Sequence, residues 1–197
     1  MYTSTGTRPD IAYTVHQTAH RMGNPCREDF STCKRIFRYL SGVPNLGITF
    51  GGKRNSHGLE GFVDVDWAED VGDRKSTTGY VSKLNGGAMS WCSRKQQLVT
   101  WSSTEAEYVA AGETGKQTAY LGDLLRSIGF GCRGSTTLFE DNKSAINVSK
   151  ESGAHCRTKH IGVRWHGIRE WLGEGVLALK YVQTATLLTF SQKDQAE

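Results

Sequence analysis

Three acidic residues occupy positions where an ionised carboxylate is costly. Asp64 interrupts the apolar alternation of Gly61-Phe62-Val63-Asp64-Val65. Glu107 precedes the apolar run Tyr108-Val109-Ala110-Ala111. Asp141 ends the run Leu138-Phe139-Glu140. Such carboxylates need a partner or a metal ion. Gathered together, they form an all-oxygen set suited to a hard divalent cation, Mg²⁺ or Mn²⁺. Two such ions ~4 Å apart can activate a water and stabilise the leaving oxygen of an in-line phosphoryl displacement. Singly, each acid has an ordinary reading as a strand-end cap or part of a solvated helix face. Of three neighbouring acids, only Asp66 competes with them. Asp66 shares a strand face with Asp64. Glu105, two positions before Glu107, points elsewhere on a helix and is expected to be exposed. Glu140 should point away from Asp141.

The elements that must position these acids follow from periodicity. Residues 61–67 and Thr78–Leu84 alternate as strands, and Asn85-Gly86-Gly87 is a hairpin signal before the returning strand Ala88–Ser93. Ser102-Ser103-Thr104-Glu105-Ala106-Glu107 opens a long helix, with a hydroxyl cap and glutamates in its first turn, that ends near Gly129. A fourth strand covers Thr136–Asp141. Asn142 caps a short helix through Ser149, His160–Trp171 is a further helix, and Val176–Val182 is a fifth strand. Antiparallel strands first and helical crossovers later predict an α/β fold with a mixed sheet flanked by helices. Residues 1–50 read as a helical extension, in which Asp29–Leu40 aligns Phe30, Cys33, Phe37 and Leu40 on one face and Leu46–Phe50 suggests a short strand. Residues 51–57 read as a linker, 58–190 as the main domain and 191–197 as a tail.

The motifs resemble those of the ribonuclease H domain of copia-type retrotransposon polyproteins. The resemblance rests on Gly61-Phe62-Val63-Asp64-Val65-Asp66-Trp67 with Asp73-Arg74-Lys75-Ser76-Thr77-Thr78-Gly79-Tyr80, on Ser102-Ser103-Thr104-Glu105-Ala106-Glu107-Tyr108, on Asp141-Asn142-Lys143-Ser144-Ala145-Ile146, and on Arg157-Thr158-Lys159-His160-Ile161. It covers about residues 58–183. Thr7-Arg8-Pro9-Asp10 and Lys34-Arg35-Ile36-Phe37-Arg38-Tyr39-Leu40 are similar to the end of the reverse transcriptase region, so the chain looks like a polymerase tail followed by a nuclease. The resemblance implies a five-stranded ribonuclease H-like sheet, carboxylate ligands at Asp64, Glu107 and Asp141, two Mg²⁺ ions (Mn²⁺ as substitute), and an RNA–DNA hybrid as substrate. The reverse transcriptase portion of the same polyprotein is the implied protein partner. The chain departs from the family after Tyr181-Val182-Gln183-Thr184: by simple counting, Phe190 stands where the family has a fourth aspartate. That departure supports an alternative, a non-catalytic nucleic-acid-binding remnant.

Charge is arranged to suit a polyanion around bound cations. Residues 1–55 carry eight lysines and arginines against three acids, residues 56–131 seven against ten, and residues 132–197 nine against seven. Ser103, Thr104 and Asn142, beside the acids, and Arg157 and Lys159, in a basic stretch, are candidate nucleic-acid contacts. A solvated helix face is the bland reading of that stretch. His155, Cys156, His160 and His166 crowd together without zinc-like spacing. The five tryptophans are expected to be mostly core, with Trp101 as the one placed to meet nucleic acid. At 37% hydrophobic and 22% charged, the chain can bury a core. No apolar run approaches the ~20 residues of a membrane span, and no signal-peptide layout opens the chain. Five cysteines without a Cys-x-x-Cys pair fit reduced thiols. The expected location is the cytoplasm, within a virus-like particle, or the nucleus, without secretion.

Overall fold

A computed structural model describes residues 1–51, 58–68, 72–130, 134–151 and 167–184. Strands β1 (Leu59–Asp66), β2 (Thr77–Leu84) and β3 (Gly87–Lys95) form an antiparallel meander. Asn85 and Gly86 turn the β2–β3 hairpin with φ of 50° and 87°, the left-handed pair that a two-residue turn requires. Strands β4 (Thr136–Glu140) and β5 (Leu177–Tyr181) add parallel on the far side of β1, giving the order β3-β2-β1-β4-β5. This mixed five-stranded sheet is the ribonuclease H-like architecture that the motifs implied.

One long helix, α4 (Ser103–Ser127), lies against one face of the sheet. Its inward side carries Ala106, Ala110, Ala111, Gly112 and Gly115, all buried, so helix and sheet approach closely. Gly61 marks the tightest point: a Cβ there would stand 2.4 Å from Leu138 Cδ2 and 3.3 Å from Thr118 Oγ1. The core joins Tyr108, Val109, Leu138, Ile146, Ile168, Leu177 and Leu179 from five elements, two of them the short helices α5 (Lys143–Lys150) and α6 (Gly167–Gly173). Burying such side chains contributes about 1.5–3 kcal/mol each. No described helix is long and apolar enough to cross a membrane.

Residues 1–51 fold as α1 (Tyr2–Gly6), a 3₁₀ turn (Pro9–Ile11), α2 (Ala12–His20) and α3 (Arg27–Gly42). This segment docks on the sheet through Trp91 Nε1 donating to the Ser4 carbonyl (2.7 Å) and Lys95 N donating to His16 Nε2 (3.1 Å). Two expectations need correction here. Residues 46–50 form no strand; Phe50 instead lays its ring on Gly87, and Gly51 N donates to the Asn85 carbonyl, which leaves no ladder for a strand to join. On the apolar face of α3, Phe30 and Phe37 are exposed, because no described element packs over them. Trp67 is exposed rather than core, since it follows the end of β1; Trp101, the tryptophan set apart from the core in the sequence, is exposed as well. The expected linker lies, Gly51 apart, outside the described residues, as do the tail, residues 160–166 of the expected late helix and the His155–His166 group.

Candidate metal centre at the end of the sheet

The parallel pairing of β1 with β4 brings two of the three acids together. Phe62 and Phe139 are register partners, and their rings stack at 4.9 Å on one face of the sheet. Two residues further along each strand, on that same face, come Asp64 and Asp141. Glu107 arrives from α4, whose start is fixed in four ways. Ser102 Oγ accepts from Glu105 N (3.3 Å), Glu105 Oε2 accepts from Trp101 N (2.8 Å), and Gln96 Nε2 donates to both the Ala106 carbonyl (2.9 Å) and Thr78 Oγ1 (3.0 Å). Glu105 is therefore committed to a cap and half-buried, rather than fully exposed.

Carboxylate oxygens of Asp64, Glu107 and Asp141 all lie within 4.8 Å of one another. Asp64 is open to solvent on its outer side, Asp141 is half-buried and Glu107 is buried. The oxygens have few partners within the protein. Asp64 Oδ1 accepts from Val65 N (3.0 Å), and Asp141 Oδ2 accepts from Thr184 Oγ1 (2.5 Å). Glu107 Oε2 is buried with no hydrogen-bond partner. Among the described residues, no lysine or arginine forms an ion pair with any of the three.

The electrostatics follow. Burial, and then the charges of Glu140, Asp141 and Asp64, push the Glu107 carboxyl far above the usual range. Partial removal from water and the charge of Asp141 raise Asp64, against the pull of the Val65 N–H. A group of oxygens held this close, with like charges and one orphaned buried oxygen, fits a divalent cation. Such an ion accepts several carboxylate oxygens, and for Mg²⁺ two opposite ligands stand roughly 4 Å apart.

Two residues of the centre escaped the sequence reading. Glu140 was placed on the face away from Asp141, and it is; but that face is the one packed on α4, so Glu140 is fully buried beside Glu107. Burial first, then the charges of Asp141 and Asp64, raise its carboxyl, while the Asn142 N–H, donating to Oε1 at 3.0 Å, works the other way. The alternation Thr136, Leu138, Glu140 on the inward face was the available signal. Thr184 gave none, because nothing in its local pattern tells that it returns to Asp141.

Of the competitors, Asp66 turns to the N-terminal segment and accepts from Tyr13 Oη at 2.9 Å. Of the candidate nucleic-acid contacts, Ser103 is exposed and Thr104 half-buried at the start of α4. Asn142 caps α5, its Oδ1 accepting from Ala145 N at 3.0 Å. Arg157, Lys159 and Phe190 lie outside the described residues.

No protein-family model matches the chain. The retrovirus-related Pol polyprotein from transposon TNT 1-94 of Nicotiana tabacum is 42% identical over 184 residues, which is 93% of this chain and 14% of that protein. The corresponding polyprotein from transposon RE1 of Arabidopsis thaliana is 38% identical over 178 residues, 90% of this chain and 12% of that protein. The chain thus spans a small part of the relatives' length. Among solved structures, that of LC11-RNase H1, isolated from compost by a metagenomic approach, covers 70% of the chain and 92% of its own at 13% identity, with a TM-score of 0.49. About nine-tenths of the chain is thus homologous to a short stretch of copia-type retrotransposon Pol polyproteins, and its sheet has the order of a ribonuclease H-like fold.

Proposed function

We propose that this domain is a divalent-metal-dependent nuclease that cleaves the RNA strand of RNA–DNA hybrids formed during reverse transcription. The observation that carries the reading is the convergence of Asp64, Glu107 and Asp141 from β1, α4 and the end of β4, with no lysine or arginine to neutralise them among the described residues.

Asp64, Glu107 and Asp141 would hold the ions, two in number, with Mg²⁺ the natural occupant and Mn²⁺ a substitute. When bound, such ions supply Lewis acidity that makes water a better nucleophile and offsets charge on the leaving oxygen. The protein's share is orientation. Stacked Phe62 and Phe139 hold the two strands in register below the acids. Thr184 fixes Asp141 by its hydroxyl, and the α4 caps fix the height of Glu107.

Ser103 and Thr104 stand at the start of α4, where hydroxyls and helix N–H groups suit phosphate and sugar contacts. Asn142 keeps a side-chain NH₂ beyond its cap for the same purpose. Arg157 and Lys159 would add charge along the hybrid. The reverse transcriptase portion of a parent polyprotein is the proposed partner that delivers the hybrid, in a cytoplasmic virus-like particle or the nucleus.

The test is cleavage of a hybrid labelled on its RNA strand, with Mg²⁺ and with EDTA, by wild type and Asp64→Asn. Metal-dependent cleavage that is absent in the variant supports the reading. Binding without cleavage by the wild type would favour the non-catalytic remnant that Phe190 suggests.

A further inference from the structure

Glu140 presents a physical problem that the fold does not solve by itself. It lies on the inward face of β4, in line with Thr136 and Leu138, and is fully buried. Its Oε1 is fixed by the Asn142 N–H at 3.0 Å, at the junction between β4 and α5. Its Oε2 is buried with no hydrogen-bond partner. On the facing helix, Glu107 Oε2 is in the same condition. A buried polar atom without a partner costs on the order of 1–3 kcal/mol, and more when charged. An apolar residue at position 140 would avoid that cost. No described lysine or arginine pairs with either acid, and the side-chain hydrogen bond that Glu107 makes is to Glu140, another acid.

We infer that Glu140 is a fourth acidic member of the cation site, a positioning residue that acts through Glu107. The inference rests on the metal-dependent reading above. Glu140 lies outside the group of three whose oxygens share a 4.8 Å sphere, so it backs the ligands rather than joining them. Its anchor to the Asn142 N–H fixes it where β4 meets α5, and its carboxyl hydrogen-bonds that of Glu107 on α4. From there it holds Glu107 towards the ion. It also adds to the negative field in which two divalent ions, with four positive charges, would face only three ligating carboxylates. Groups that orient a metal ligand from behind typically alter metal affinity by about 10–100-fold when removed.

The experiment is Mn²⁺ binding by the full chain, with free ion followed by its electron paramagnetic resonance signal, for wild type, Glu140→Gln, Glu140→Asp and Glu140→Met. Circular dichroism verifies folding. Gln keeps the shape and the acceptor for Asn142 N but removes the acid. The expected result is at least about tenfold weaker binding for Glu140→Gln, with partial recovery in Glu140→Asp. The metal concentration for half-maximal hybrid cleavage should rise by the same factor while kcat at saturating metal largely recovers. Glu140→Met, of similar volume and uncharged, repeats the test should the amide variant not fold, and should also bind weakly. Wild-type affinity in a folded Gln or Met variant overturns this inference and leaves Glu140 a packing residue. Failure of the wild type to bind Mn²⁺ at all overturns the metal-dependent reading beneath it.

Discussion

The N-terminal segment and the end of the sheet both bury acids, and they treat them in opposite ways. Asp10 is nearly inaccessible, yet Arg8 lies 2.8 Å away, and the Arg8 and Tyr39 hydrogen bonds hold its carboxyl below the usual range although burial pulls hard the other way. Asp29 accepts the Cys26 backbone N–H at 2.8 Å, which caps α3, and faces Arg21 at 3.3 Å. At the sheet end, Glu107 and Glu140 are both buried, each keeps an orphaned oxygen, and their neighbours are other acids. The same chain therefore contains the ordinary solution for a buried carboxylate and declines to use it at one place. Stability explains the first arrangement. The second costs stability and makes sense once a cation completes it.

The contrast can be broken most decisively at Asp64. Asp64→Asn should leave the fold intact and lower hybrid cleavage by about 10³-fold, the equivalent of several kcal/mol of transition-state stabilisation. Single-turnover kinetics at saturating protein would measure it, and near-wild-type cleavage would break the account. The complementary change in the other region is Arg8→Ala, which takes the cation from Asp10 and leaves it the Tyr39 hydrogen bond. It should cost about 3 kcal/mol or more in urea unfolding.

A smaller effect separates the two regions by pH. Glu107 has a raised carboxyl in the folded chain, so above the ordinary glutamate value, about 4.3, the folded state keeps a proton that the unfolded state releases. Stability conferred at low pH is then lost as pH rises. Measured without metal, wild type should lose stability relative to Glu107→Gln between pH 5 and pH 8. Taking that difference removes the opposite trend from His16, whose depressed value favours higher pH. Added Mg²⁺ should flatten the slope in wild type alone. A slope identical in both proteins would contradict the assignment. The smallest effect belongs to Arg94→Ala, which removes an ion pair with Glu113 whose arginine is largely exposed; it should change stability by less than about 1 kcal/mol.

Much of this contrast is written locally in the chain. The three-strand meander follows from alternation and the Asn85-Gly86 turn, and α4 from its cap and small inward residues. Asp64, Glu107 and Asp141 stand out because each is an acid against an apolar run. What the sequence could not show is tertiary. The alternation of β4 put Glu140 on a face without saying that α4 covers it. Nothing near Thr184 tells that its hydroxyl returns to Asp141. Periodicity in α3 reports an apolar stripe, not whether another element covers the stripe. Asp66 looked like a companion of Asp64, but Tyr13, 53 residues away in sequence, claims it.

The proposed nuclease requires a divalent cation among three carboxylates, and anomalous scattering from crystals of the chain grown with Mn²⁺ tests that directly. The expected result is density bounded by Asp64, Glu107 and Asp141 that vanishes in Asp64→Asn crystals. Manganese bound elsewhere only, with these side chains unliganded at saturating ion, would contradict it.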